Sequence, residues 1–269
     1  MAHEQLADLL DLDAVVLSEY HREVAEWITS QLPERARVID VGAGTGTGTI
    51  ALARQLPDAE VIALDVDEEM LKHIQDKARA SGLDGRIRTV QADLDQAWPD
   101  GLKNADLVWA ANSLHHMHDP AHAVARIYQM LRPGGLLAVT ELESFPRFLS
   151  DPAGAALEER IHIAMARGRD EAGMHMHEDW PARFAEAGFA VESERHFAIA
   201  LQPPPGSPMA ASVTRYAVVT LGRAQHGLAD KLSAGDIAEL NAQVLALPAR
   251  DDLTVRTSRK VWLARKPAG

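Results

Sequence analysis

The chain has no cysteine among its 269 residues, which excludes a disulfide framework, a thiolate nucleophile and Cys-ligated zinc. That fits a reducing compartment, and a cytoplasmic location is expected. Basic residues are in deficit, 27 Lys and Arg against 39 Asp and Glu, giving a net charge of -12. Such a chain repels phosphate backbones and anionic lipid over a Debye length, so neither nucleic acid nor a membrane surface is an expected partner. There is no Asn/Asp-Pro-Pro-aromatic run to stack an extruded base. Long apolar runs are missing too. No stretch of 18 uncharged apolar residues occurs, and the start, MAHEQLADLLDLDAV, lacks the basic-then-apolar order of a signal peptide. What is present is ordinary for a soluble globular protein, 46% hydrophobic and 25% charged. Disorder, collagen and coiled coil are excluded, and the length allows one enlarged domain or two.

Between residues 37 and 143 short aliphatic runs alternate with longer amphipathic ones, the pattern of a parallel sheet wrapped by helices. Strands are predicted at 37–41, 60–66, 87–93, 106–111 and 136–141, most of them near-continuously apolar, as burial on both faces requires. Helices are predicted at 47–56, 67–81 and 120–131, the last opened by Asp119-Pro120 as cap and first helical residue. Ser81-Gly82 and Pro133-Gly134-Gly135 mark helix stops. Ahead of this block, 17–31 reads as an amphipathic helix; after it, 178–188 reads as a helix and 190–201 as a strand. A proline cluster at 203–208 opens a segment, 209–247, spaced as two helices that split near 233–236, and 254–264 forms a last strand.

The most informative stretch is Asp40-Val41-Gly42-Ala43-Gly44-Thr45-Gly46, at the end of the first strand. The dinucleotide fingerprint G-x-G-x-x-G fails, because its last position falls on Thr47 or Thr49. That argues against a nicotinamide oxidoreductase. An acid-x-Gly-x-Gly-x-Gly turn instead lets backbone pass close to a nucleoside, since glycine takes positive φ without steric cost. The alternative is a tight turn with no ligand. Asp65, closing the second strand, can accept both hydroxyl hydrogens of a ribose, with Val66 beside it; the plainer role is a strand end, and Asp67 reads as the next helix cap. Asp93 offers an acceptor to an adenine amino group and Leu94 an apolar face for its ring.

Together these residues resemble the class I S-adenosylmethionine-dependent methyltransferases, small-molecule branch. Asn112-Ser113-Leu114-His115-His116 is similar to the family's fourth-strand motif, and Leu131-Arg132-Pro133-Gly134-Gly135 to its turn before strand five. The likeness covers 17–143 well and 178–201 more loosely. It implies S-adenosyl-L-methionine as cofactor and S-adenosyl-L-homocysteine as product, held by Asp40, Gly42, Gly44, Gly46, Asp65, Val66, Asp93, Leu94, Asn112 and Tyr20. It also implies a Rossmann-like α/β fold with a seven-stranded, mostly parallel sheet of order 3-2-1-4-5-7-6, strand seven antiparallel. The chain, 1–269, is then one domain with an N-terminal helical cap (1–33), a lid insertion (144–177) and a helical insertion between strands six and seven (202–253). Structureless loops that long are improbable, so both insertions are expected to be helical lids.

The implied reaction moves a methyl group to an oxygen or nitrogen of a small organic molecule, such as a specialised metabolite, by in-line displacement. Alignment carries most of the rate, and a histidine is the side chain suited to removing an acceptor proton near neutral pH. By analogy His115 faces the pocket as catalytic base while His116 packs beneath the cofactor; the alternative for His115 is a hydrogen-bonded loop residue. His162, His175 and His177 are candidates for contacting substrate. His115, His116 and His118 cluster, but no H-E-x-x-H helix or second ligand pair completes a metal site, so no metal is expected. A Gly-x-Ser-x-Gly elbow is also missing, which leaves a hydrolase triad nothing to build on. Other readings stay open: a non-catalytic nucleoside-binding module, or transfer to a carbon or peptide acceptor. A homodimer is compatible with all of them.

Overall fold

The computed structural model describes residues 2–96, 98–99 and 101–269. Seven strands form one sheet: β1 (Arg37–Val41), β2 (Glu60–Asp65), β3 (Ile87–Gln91), β4 (Ala105–Ala111), β5 (Leu131–Arg147), β6 (Ala190–Leu201) and β7 (Val255–Arg265). Their order is 3-2-1-4-5-7-6, with β7 antiparallel. The first five pair in parallel, so their carboxyl ends share one edge, where open α/β sheets bind ligands.

Contacts divide the chain into two compact units. One holds Glu19–Leu142, His175–Phe197 and Arg259–Gly269. In it α2 (Ser18–Thr29), α3 (Thr47–Gln55), α4 (Glu68–Ala80), α5 (Pro120–Met130) and α7 (Trp180–Glu186) accompany the sheet. The core runs through Ile39 and Val41 on β1, Ile62 and Leu64 on β2 and Val108 and Ala110 on β4, then to Val124 and Ile127 on α5 and to Phe184. The alternate residues Val38, Val61, Ala63, Leu107 and Trp109 are buried as well, so these strands are covered on both faces, as continuous apolar runs predict. Helix starts are fixed by side-chain caps. Asp67 accepts from the amides of Glu69 (2.9 Å) and Met70 (3.4 Å), and Asp119 accepts from His122 N–H (2.9 Å) ahead of Pro120.

The other unit holds Met1–Ser18, Glu143–Met174 and Ala198–Ser258. It is largely helical: α1 (Ala2–Val16), α6 (Pro152–Glu171), α8 (Pro208–Gly227) and α9 (Ala234–Ala246). Tyr216 on α8 donates its hydroxyl to Asp13 on α1 (2.7 Å) and meets Phe148 edge-on at 5.3 Å. Arg160 on α6 binds Asp236 and Glu239 on α9, both at 2.7 Å. Inside, Glu158 accepts from the backbone amides of Phe148 (2.6 Å) and Leu149 (3.3 Å), and burial pushes its carboxyl above the usual range.

One expectation needs correcting. Pro133-Gly134-Gly135 is not a turn ahead of the strand. β5 starts at Leu131, opposite Ala105, and the next pair is Leu107 with Leu136. The Pro-Gly-Gly is therefore a bulge within the ladder, and Gly134 takes φ 75° there.

Candidate active site

The site candidates cluster where β1 to β5 end. Gly42, Gly44 and Gly46 all have left-handed backbones, with φ of 67°, 53° and 79°. The turn is pinned by Ala43 N–H to Leu64 C=O (2.9 Å) and Gly46 N–H to Ala43 C=O (2.8 Å). A Cβ on Gly42 would lie 2.4 Å from that of Ser113, whose hydroxyl donates to Val41 C=O at 2.7 Å. The loop after β4 is thereby held against the glycine turn. A Cβ on Gly46 would strike Ile74 of α4 at 2.7 Å.

Asp40 is buried and accepts the Thr49 hydroxyl at 2.5 Å. Loss of water pushes its carboxyl up to about 7, the Thr49 bond opposes this, and the charge of Asp65 adds to it. Asp65 stands half-buried at the end of β2, one oxygen accepting from Gly44 N–H (2.8 Å) and the other from Asp67 N–H (3.0 Å). Each carboxylate oxygen retains a second acceptor direction. Val66, 61% exposed, offers apolar surface beside it, whereas Leu94, 5% exposed, packs into the core. Asp93 follows the end of β3; it accepts from Asp95 N–H (3.0 Å) and the Gln96 side-chain amide (2.7 Å). Asn112 leaves β4 with φ 52°, its N–H donating to Thr140 C=O (2.7 Å) while its buried Oδ1 has no hydrogen-bond partner among the described residues.

His115 follows in a short 3₁₀ turn, 4% exposed, with Nδ1 2.5 Å from a carboxylate oxygen of Glu141, itself 6% exposed. Of the adjacent pair, His115 is buried and held by Glu141, and His116 is exposed, its ring 4.1 Å from that of His115. Tyr20 on α2 is buried with its ring edge-on to Phe197 at 5.2 Å. Of the other histidines, His175 is brought to this region, its N–H donating to His115 C=O (2.9 Å) and its ring 3.6 Å from Glu178. His177 is exposed. His162 belongs to the other unit, on α6, its ring 5.3 Å from Phe145; burial first, then the Arg147 charge, push it down to about 4.

Sequence reasoning missed Glu141 and Ser113. Glu141 follows the run Leu136-Leu137-Ala138-Val139-Thr140, an acid after an apolar run, the signal that singled out Asp65, although β5 itself continues to Arg147.

The donor set fits an adenosyl amino acid. Such a ligand brings hydrogen-bond donors in its ribose hydroxyls, adenine amino group and ammonium, and the strand ends supply acceptors: Asp65, Asp93 and the buried, unpartnered Oδ1 of Asn112.

Residues 38–135 match the family model described as a methyltransferase domain. Over 68% of this chain the sequence is 30% identical to 27-O-demethylrifamycin SV methyltransferase of Amycolatopsis mediterranei (strain S699). The chain spans less than two thirds of that relative's length, 65%. Two solved structures share the fold. A protein of Bacillus halodurans C-125 aligns with a TM-score of 0.60 at 19% identity, covering 91% of this chain and 98% of its own. The [4+2]-cyclase SpnF aligns with a TM-score of 0.56 at 23% identity, covering 92% and 81%. Sheet order, glycine turn and strand-end acids define a Rossmann-like methyltransferase fold. Residues 38–135 are thus a methyltransferase domain, and the fold is that of the class I S-adenosylmethionine-dependent methyltransferases.

Proposed function

We propose that this protein transfers a methyl group from S-adenosylmethionine to an oxygen or nitrogen of a small organic molecule in the cytoplasm. The observation that carries the reading is Asp65: a half-buried carboxylate tied to the glycine turn through Gly44 N–H and to α4 through Asp67 N–H. Those two bonds hold both oxygens at the strand end before any ligand arrives, so little ordering cost remains on binding.

When bound, the cofactor supplies a methyl carbon already activated by the sulfonium. The chain's own residues do the rest. Asp65 accepts the ribose hydroxyls, Asp93 the adenine amino group, and Val66 covers an adenine face. Gly42, Gly44 and Gly46 let the backbone approach the amino-acid tail, with Asn112 Oδ1 as a further acceptor and Tyr20 closing the methionine end. His115 takes the acceptor's proton. Orienting the acceptor for in-line attack is worth roughly 7–11 kcal/mol. The name of the rifamycin-modifying relative, which specifies an oxygen, supports an oxygen acceptor.

Titration calorimetry with S-adenosylmethionine and S-adenosylhomocysteine tests this. Both are expected to bind, and Asp65→Ala is expected to weaken each by roughly tenfold or more, the loss of charge-assisted bonds worth about 1.5–3 kcal/mol. No heat from either ligand in the wild-type protein would sink the reading. Release of S-adenosylhomocysteine with an acceptor panel separates an enzyme from a binding module.

A further inference from the structure

We infer that Glu141 is a positioning residue that fixes the tautomer of His115, leaving Nε2 as a neutral lone pair to take the proton of a hydroxyl acceptor. The inference rests on the methyl-transfer reading above and narrows its acceptor to a group that loses a proton as it reacts.

A neutral imidazole has one N–H and one lone pair, and an ionised carboxylate can only accept. With a Glu141 oxygen 2.5 Å from Nδ1, the hydrogen belongs on Nδ1 and the lone pair on Nε2. Both side chains are buried, so neither competes with water for the contact. The other oxygen of Glu141, Oε1, is also buried and has no hydrogen-bond partner among the described residues. A clamp serving only packing would be favoured with both oxygens satisfied, since an unpaired buried acceptor costs about 1–3 kcal/mol. Such exceptions call for an explanation, and a catalytic role is one that the contact with His115 supports.

Placement supports the same conclusion. Thr140, next to Glu141 within β5, pairs with Ala111, the last residue of β4, and accepts from Asn112 N–H, so Glu141 and the segment carrying His115 are fastened together. One residue further, Ser113 abuts Gly42. The pair therefore lies beside the glycine turn. Of the neighbouring histidines, His116 is exposed, and His175 is 3.6 Å from Glu178.

In the step assigned to the pair, the acceptor's O–H bond breaks and its electron pair stays on oxygen. The proton forms a bond with the Nε2 lone pair, giving an imidazolium whose charge faces the Glu141 carboxylate. The oxygen's pair makes the new bond to the methyl carbon as the carbon–sulfur bond breaks, with that bond's pair passing to sulfur. His115 then returns the proton to water.

The test is long-range 1H–15N spectroscopy of the full chain labelled with 15N-histidine, in saturating S-adenosylhomocysteine, the His115 signals assigned from a His115→Gln sample. The wild-type ring is expected to show a protonated Nδ1 and an unprotonated Nε2. Glu141→Met, similar in volume but without an acceptor, is expected to move the hydrogen toward Nε2 while S-adenosylhomocysteine affinity stays within about threefold. With a hydroxyl compound methylated by the wild type, kcat is expected to fall about 100-fold with KM for the donor unchanged. A wild-type ring protonated on Nε2 overturns the inference even if Glu141→Met does not fold, as does a variant spectrum identical to wild type. Absence of S-adenosylhomocysteine binding to the wild type instead overturns the methyl-transfer reading and the base with it.

Discussion

Asp40 stands beneath the glycine turn with a carboxyl pushed up to about 7 against an ordinary value of 3.8, chiefly because burial removes its water. A carboxyl whose folded value exceeds its unfolded one favours folding when protonated. Its contribution is fully present below about pH 4 and is lost as pH rises through about 7, with a slope approaching 1.4 kcal/mol per pH unit between. Chemical denaturation of the ligand-free protein from pH 4 to 8 is expected to show this decline superimposed on the other titrations. Asp40→Asn keeps a carbonyl oxygen for the Thr49 hydroxyl and removes the charge, so the variant's profile is expected to be flatter in that window. An identical slope in both proteins would show that Asp40 does not titrate there. Asp65, at the next strand end, illustrates how far single residues were legible. Its position after an apolar run marked it from the sequence, but its two backbone partners depend on how the glycine turn folds back, which no spacing rule states.

At the scale of elements, the turn from β1 into α3 was readable because glycines at alternate positions after an apolar strand have few other uses. What the pattern did not show is that Gly42 is also required by a neighbour. A methyl group there would sit 2.4 Å from Ser113 Cβ in a residue with φ 67°. Gly42→Ala thus combines left-handed strain of about 1–2 kcal/mol with a backbone shift. Thermal denaturation should show a loss of at least that size, and S-adenosylhomocysteine affinity should fall with it, since the shift displaces the Gly44 amide that orients Asp65. Gly82→Ala provides the contrast. Its φ of 66° carries similar strain, but a Cβ there meets nothing within 4 Å, so stability should drop without a change in affinity. β5 shows the reverse limit. Its apolar middle was evident, yet its early start and its bulge were not, because Pro-Gly-Gly after a helix has the same composition whether it turns or bulges. The His115–Glu141 pair was hidden for a related reason: the partners are 26 positions apart and meet only through the β4–β5 register.

For the whole molecule, the parallel sheet followed from the alternation of apolar runs with helices, and its order from the resemblance that the glycine turn and strand-end acids carry. The division into two compact units did not follow, since it gathers three stretches separated in sequence, Met1–Ser18, Glu143–Met174 and Ala198–Ser258. That division shapes the last prediction. Every residue proposed to touch S-adenosylmethionine, from Tyr20 to Asn112, belongs to the unit that holds Glu19–Leu142. Ligand linkage acts on the cooperative element that contains the site, so S-adenosylhomocysteine at 100 times its Kd should stabilise that unit by about 2.7 kcal/mol. At roughly 2–4 °C per kcal/mol for a chain approaching this length, its unfolding should move up by about 5–10 °C. Differential scanning calorimetry distinguishes the cases. If the protein melts in a single transition, that transition should move; if it melts in two, one should move with ligand and be the one raised by Asp40→Asn at pH 8, where the wild-type carboxylate is charged. Two transitions with the ligand-sensitive one unaffected by Asp40 would place the binding site away from the glycine turn.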